Sequence, residues 1–122
     1  MYSKRLQNLY SGFTHYRNYR AQTNGRYASF GVVTSLPGEV IDSFWYVIDH
    51  YLKGVIPLKN VIRFSIKNRR GKITLVFSQE GYKNVLAVDL SSRFDPFYPS
   101  TILVMDKQGK ETITLPDEVT LL

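Results

Sequence analysis

Residues 34–57 read Thr34-Ser35-Leu36-Pro37-Gly38-Glu39-Val40-Ile41-Asp42-Ser43-Phe44-Trp45-Tyr46-Val47-Ile48-Asp49-His50-Tyr51-Leu52-Lys53-Gly54-Val55-Ile56-Pro57, and they decide the fold class. Within this stretch Val40, Ile41, Phe44, Trp45, Ile48, Tyr51 and Leu52 recur at helical spacing and form one apolar stripe. Hydroxyl residues and Pro37 open the helix, while Gly54 and Pro57 end it. On either side the pattern changes to short β-branched and aromatic runs, at 26–34, 61–67, 72–79, 84–90, 101–106 and 111–115. The separators Asn68-Arg69-Arg70-Gly71, Glu80 to Lys83 and Lys107-Gln108-Gly109-Lys110 are of hairpin length, which makes neighbouring strands antiparallel. A longer loop from Ser91 to Ser100, with Pro96 and Pro99, breaks the meander. The expected fold is α+β: a mostly antiparallel sheet of five to six strands with one main helix packed on it, plus a short N-terminal helix or arm.

A chain of 122 residues makes one domain with a core of its own. With no cysteine, disulfide scaffolds, Cys-based zinc sites, iron–sulfur clusters and thiol catalysis are excluded. The longest unbroken apolar run, Phe44 to Ile48, is far too short to cross a membrane, and the N-terminal stretch reads without an apolar signal-peptide segment. A soluble cytoplasmic protein with no membrane partner is therefore expected.

The net charge of +6 is unevenly placed. Residues 1–30 hold Lys4, Arg5, Arg17, Arg20 and Arg26 and no acid, whereas the remainder is nearly balanced. The same opening stretch contains Tyr2, Tyr10, Phe13, Tyr16, Tyr19, Tyr27 and Phe30. Thr23-Asn24-Gly25 is a turn-type cluster, and it divides the chain into a basic aromatic arm, 1–24, and a single α+β domain, 25–122. Within the arm Leu6, Leu9, Tyr10 and Phe13 fall on one face of a short helix starting near Ser3.

Nothing in the chain is arranged for catalysis. The two histidines, His15 and His50, have no second ligand at metal-binding spacing, the glycines are scattered singly, and no nucleophile elbow is present. No catalytic residue, metal or cofactor is assigned, and a non-enzymatic protein is expected.

Binding has three candidate features. In the arm, Lys4, Arg5, Arg17, Arg20 and the adjoining Arg26 interleave with Tyr16, Tyr19 and Tyr27, which offers guanidinium groups to phosphates and flat rings to bases. A helix docked by its apolar stripe, with solvated arginines, is the plainer reading. The second feature is the hairpin tip, where Lys67, Arg69, Arg70 and Lys72 put four cations in six residues on a β-ribbon, suited to a phosphate backbone or simply to solubility. The third is the proline-stiffened loop with Arg93, Phe94, Phe97 and Tyr98, either a preorganised protein-binding surface or a cap on an open side of the sheet. Asp117 and Glu118 read as a solvated acidic tail.

The block Arg26-Tyr27, Gly31-Val32, Leu36-Pro37, Val40 and Phe44-Trp45-Tyr46-Val47-Ile48-Asp49 resembles the opening of the staphylococcal-type family catalogued as domain of unknown function 960. Leu58 to Ile66, Thr101 to Asp106 and Thr112 to Glu118 resemble its later strands, so the resemblance covers residues 25–120. It implies a small intracellular protein of Gram-positive bacteria, frequently carried on cassette chromosomes and phages, with no assigned activity. Two departures stand out: the added residues 1–24, and the basic Lys59, Lys107 and Lys110 where the family tends to be neutral or acidic. Residues and resemblance together lead to the expectation of an accessory protein of a phage or mobile element that binds nucleic acid through the arm and the basic hairpin. The alternative is an anti-CRISPR-like inhibitor or adaptor that occludes a host or defence protein, including a ribonucleoprotein gripped through both its RNA and its protein.

Overall fold

The computed structural model describes residues 14–16, 25–81 and 86–121. Its elements are β1 (Thr14–Tyr16), β2 (Gly25–Ala28), α1 (Phe30–Ser35), α2 (Gly38–Val47) continued by a π-turn (Ile48–Leu52), β3 (Val61–Arg69), β4 (Lys72–Ser78), β5 (Leu86–Arg93), β6 (Thr101–Lys107), β7 (Lys110–Thr114) and a closing 3₁₀ turn (Pro116–Leu121). All described strands join one sheet in the order β1-β2-β7-β6-β3-β4-β5. The fold is α+β with one main helix, as the residue 34–57 stripe required. The sheet is mixed, because β2 runs parallel to β7 while the other pairs are antiparallel.

Alternation sorts each strand into two faces. Ile62, Phe64 and Ile66 of β3, Ile73, Leu75 and Phe77 of β4, and Ile102, Val104 and Ile113 of β6 and β7 point inward and are buried. Val40, Ile41, Phe44, Trp45, Ile48 and Leu52 of the main helix cover them, and each large side chain removed from water contributes about 1.5–3 kcal/mol. Of the expected stripe only Tyr51 stays outside, at 44% exposure. The helix lies on the inward face of the sheet, and the outward face of β3–β7 carries polar and basic residues together with Val61, Val76, Leu103 and Met105.

Three differences from the sequence expectations have local causes. The Arg26–Thr34 run does not remain a strand: it leaves the sheet after Ala28 and forms α1. Ser29 turns the chain, since its N–H still donates to the Ile113 carbonyl at 3.0 Å while its Oγ accepts from the Val32 N–H at 3.2 Å as a helix cap. Within the N-terminal arm, Thr14–Tyr16 pairs with β2 and extends the sheet. The expected helix over Leu6–Phe13 and the cations Lys4, Arg5, Arg17 and Arg20, together with Tyr19, lie outside the described residues, as does the side chain of Tyr16.

The third difference is Glu118, which is not a solvated tail. Its Oε1 accepts from Ser29 Oγ and from the Leu115 N–H at 3.1 Å, and its Oε2 accepts from the Gly31 N–H at 2.9 Å. Glycine at 31 permits that approach, because a Cβ there would lie 2.6 Å from Leu115 Cδ1 and 2.7 Å from Glu118 Oε2. Partial burial alone would raise the Glu118 carboxyl, but hydrogen bonds from Ser29, Leu115, Gly31 and Thr114 outweigh it and hold the group below the usual glutamate range. A group depressed in the folded state stabilises fully above its unfolded pKa, about 4.3, and loses that contribution as pH falls toward the folded value. Glu118→Gln is therefore expected to lower stability near neutral pH by about 1–2 kcal/mol. It should also flatten the acid limb of a stability–pH curve below about pH 4.3. A variant curve parallel to the wild type in acid would disprove the role.

Candidate nucleic-acid interface

On β3 the residues between the buried Ile62, Phe64 and Ile66 are Arg63, Ser65 and Lys67, followed by Arg69, so the strand's period of two sends its cations to the outward face. The register adds to them: Arg69 pairs with Lys72, Lys72 with Arg93, and Lys107 with Lys110 at the far end of the sheet. All seven of these cations occupy outward positions of β3–β7. A single carboxylate, Asp89, shares the face among the described residues, and it is already held by Thr74 Oγ1 at 2.6 Å and by Arg69 Nη1 at 3.1 Å. That exposed ion pair is worth no more than about 1 kcal/mol, so Arg69 can leave it for another anion at little cost. At the opposite end Lys110 Nζ stands 5.0 Å from the centre of the Tyr27 ring.

The hairpin tip is built by a two-residue turn in which Arg70 (φ 55°) and Gly71 (φ 86°) are both left-handed, the geometry that suits the twist of paired strands. Asn68 Oδ1 accepts from the Gly71 N–H at 2.8 Å and fixes the turn. The structure then joins two features that are separate in sequence: the Phe94 N–H donates to the Gly71 carbonyl at 2.8 Å, so the aromatic loop begins on the basic turn. The loop returns at Ser100, whose carbonyl accepts from the Ile66 N–H at 3.0 Å. Phe94 and Tyr98 are half-buried against the core with ring centres 6.4 Å apart. The side chains that cap the sheet and the one that projects are thus different residues, since Phe97 is 93% exposed. Burial, with the charges of Asp95 and Glu39, raises the Tyr98 hydroxyl and keeps it neutral. Arg93, grouped with the aromatics in the sequence reading, stands instead with Lys72 among the cations.

Arg26 belongs to neither surface, which corrects its place among the nucleic-acid-binding residues. It is 3% exposed and faces the helix from β2. Its Nη1 and Nη2 donate to the two Asp49 oxygens at 2.9 and 2.5 Å, and its Nε donates to Glu111 Oε1 at 2.7 Å. Its guanidinium carbon also lies 4.6 Å from the Trp45 ring centre. Burial works against the charge, yet the hydrogen bonds and charges of Asp49 and Glu111 outweigh it and raise the arginine's proton affinity. Trp45 and Asp49 are four residues apart on one helix face, and Glu111 pairs in register with Arg26, so three elements converge on one guanidinium. Lys53 completes the cluster from the solvent side, 3.2 Å from Glu111 Oε2, at the rim of a cleft of about 230 Å³ floored by Ile48, Ile62 and Val104.

Residues 25–118 match the family described as staphylococcal protein of unknown function, DUF960. The chain belongs to the DUF960 family. A crystal structure of a protein of unknown function from Enterococcus faecalis is similar to this DUF960 chain, with 49% identity and a TM-score of 0.75 over 76% of this chain and 88% of that one. No curated protein matches. The DUF960 match contains the Arg26 cluster and the hairpin, and the 1–24 arm precedes it. Among the described residues of this DUF960 protein no three His, Cys, Asp or Glu side chains converge as a metal site. His50 is exposed and stacks on Tyr46, ring centres 4.1 Å apart, with Nδ1 3.1 Å from the Tyr46 carbonyl oxygen. No described helix is long and apolar enough to cross a membrane.

Proposed function

We propose that this DUF960 protein is a non-enzymatic nucleic-acid-binding protein that grips phosphates with the outward face of its sheet. One observation carries the reading: the strand register gathers Arg63, Lys67, Arg69, Lys72, Arg93, Lys107 and Lys110 on the face opposite the main helix, where the carboxylate of Asp89 is already engaged. Such a surface attracts a polyanion through Coulombic steering and counterion release rather than through base reading. The hairpin cations named from sequence, Lys67, Arg69, Arg70 and Lys72, form its tip, and Arg17 follows β1 directly along the chain. Lys4, Arg5, Tyr16, Tyr19 and Arg20 enter the proposal as an extension of this binding surface from the arm. Cytoplasmic action, in the setting of a phage or mobile element, is part of the same reading.

The triple variant Lys67→Gln, Arg70→Asn, Lys72→Gln removes three exposed tip charges without touching the core, and asparagine suits the left-handed turn at 70. Fluorescence anisotropy against labelled DNA and RNA at several salt concentrations should show weaker binding. The slope of log affinity against log salt should also flatten by about 2. An unchanged slope, or no binding of single- or double-stranded DNA or RNA by the wild type at low salt, would remove the proposal. A second reading, occlusion of a protein partner, draws on the exposed Phe97 ring. Pull-down from host lysate with and without nuclease separates the two, because a protein captured equally after nuclease treatment belongs to the second.

A further inference from the structure

Resting on the nucleic-acid reading, we infer that the strand this protein takes is single, and that Phe97 is the platform on which one of its bases stacks. Phe44, Phe64 and Phe77 form the core, in the same loop Phe94 and Tyr98 turn inward, and the other exposed aromatics, Phe30, Tyr46 and Tyr51, keep about half of their surface covered. Phe97 is 93% exposed, so no requirement of the fold explains its ring.

Its backbone is held in place. The Phe97 N–H donates to Asp95 Oδ1 at 2.8 Å and the Tyr98 N–H donates to the Asp95 carbonyl at 2.9 Å, while Pro96 and Pro99 restrict the backbone on both sides. Ordering such a ring on binding costs little, because its loop is ordered beforehand. It is also near the cations. Three residues of chain, at most about 11 Å, separate it from Phe94, which is bonded to the hairpin turn.

The choice between strand types follows from which surfaces a nucleic acid exposes. A duplex presents base edges in its grooves and keeps base faces stacked on one another, so a projecting phenyl ring has no face to meet. A single strand presents both phosphates and free base faces. On β3 the outward Lys67 and Arg69 follow one another about 6.6 Å apart, and Lys72 of β4 stands across from Arg69 one strand spacing away, about 4.8 Å, so the three offer adjacent contacts for a backbone whose bases fall toward the loop. Phenylalanine offers no hydrogen bond, so the site reads stacking and takes any base sequence.

The test compares wild type and Phe97→Ala on labelled oligothymidine, on oligouridine, on an abasic strand of the same length and on a duplex. Phe97→Ala removes an exposed ring and leaves the fold intact, which thermal melting verifies. Stacking of one base predicts roughly tenfold weaker binding of the two single strands, with the salt slope unchanged. The abasic strand and the duplex should bind wild type and variant alike, and Phe97→Trp should restore single-strand affinity. A variant that binds oligothymidine as tightly as wild type, or a wild type that prefers the duplex, overturns the inference. In either case the salt-slope change of the hairpin variant still supports the broader reading. If wild type binds none of the four probes, both readings fall.

Discussion

Replacing Arg26 with alanine is expected to destabilise the fold by about 3–5 kcal/mol. That is a large part of the roughly 5–15 kcal/mol that holds a domain of this kind together. The reason is not the loss of an attraction as such. Asp49 and Glu111 have side-chain exposures of 9% and 6%, and without the guanidinium both carboxylates stay out of water, with Lys53 as the neighbouring cation at 3.9 and 3.2 Å. Lys53 is 37% exposed and its charge is largely satisfied by solvent, so it cannot substitute. Urea unfolding should show a lower midpoint at unchanged m. The triple change Arg26→Met, Asp49→Leu, Glu111→Leu should cost less than Arg26→Ala alone, because it removes the stranded charges along with their partner. An Arg26→Ala protein within about 1 kcal/mol of wild type would mean that the cluster is not what ties β2 to the helix.

Phe64→Ala should cost a similar amount, about 3–5 kcal/mol, by a different route. Phe64 is wholly buried on the interior strand β3, edge-on to Phe44 at 5.1 Å and 82°, and 5.8 Å from Phe77. Its removal leaves a cavity between helix and sheet, where the rigid ladders on both sides of β3 oppose collapse. Phe64→Leu, which refills part of the space, should lose clearly less. Equal losses for the two variants would argue against a cavity cost. Neither Arg26 nor Phe64 lies on the outward face, so the fraction of either variant that remains folded should bind oligothymidine with wild-type affinity.

The helix was legible because its stripe runs unbroken from Val40 to Leu52, and the strands because Gly and polar clusters punctuate them. The parallel β2–β7 pair was not, since local periodicity says nothing about which distant strand lies alongside. The Arg26 cluster left a usable mark: Asp49 sits in the same helical stripe as Trp45, Ile48 and Leu52, and an acid there demands a buried cation. Chain order places Arg26 beside the cations of the arm, whereas its strand face turns it toward Asp49 and Glu111. The basic face was partly visible. Alternation on β3 separates Arg63, Lys67 and Arg69 from Ile62, Phe64 and Ile66, but placing Arg93, Lys107 and Lys110 beside them needs the register of three further strands. α1 escaped because Phe30, Val32 and Val33 favour strand locally, and the Ser29 cap that overrides them is braced by Glu118, at the other end of the domain, which accepts from Ser29 Oγ and the Gly31 N–H.

The parallel pairing of β2 with β7 also sets an order of assembly on the ribosome. Arg26 and Asp49 are 23 residues apart and can meet once α2 has formed, whereas Glu111 is 85 residues from Arg26 and is synthesised near the end. Until Lys110–Thr114 emerges, β6 has no neighbour on that side and β2 has no place in the sheet. An open β6 edge is a template for pairing with another chain. A nascent chain stalled before β7, or a product truncated there, is thus the form of this protein most prone to aggregate, and the final strand acts as the closure that protects it.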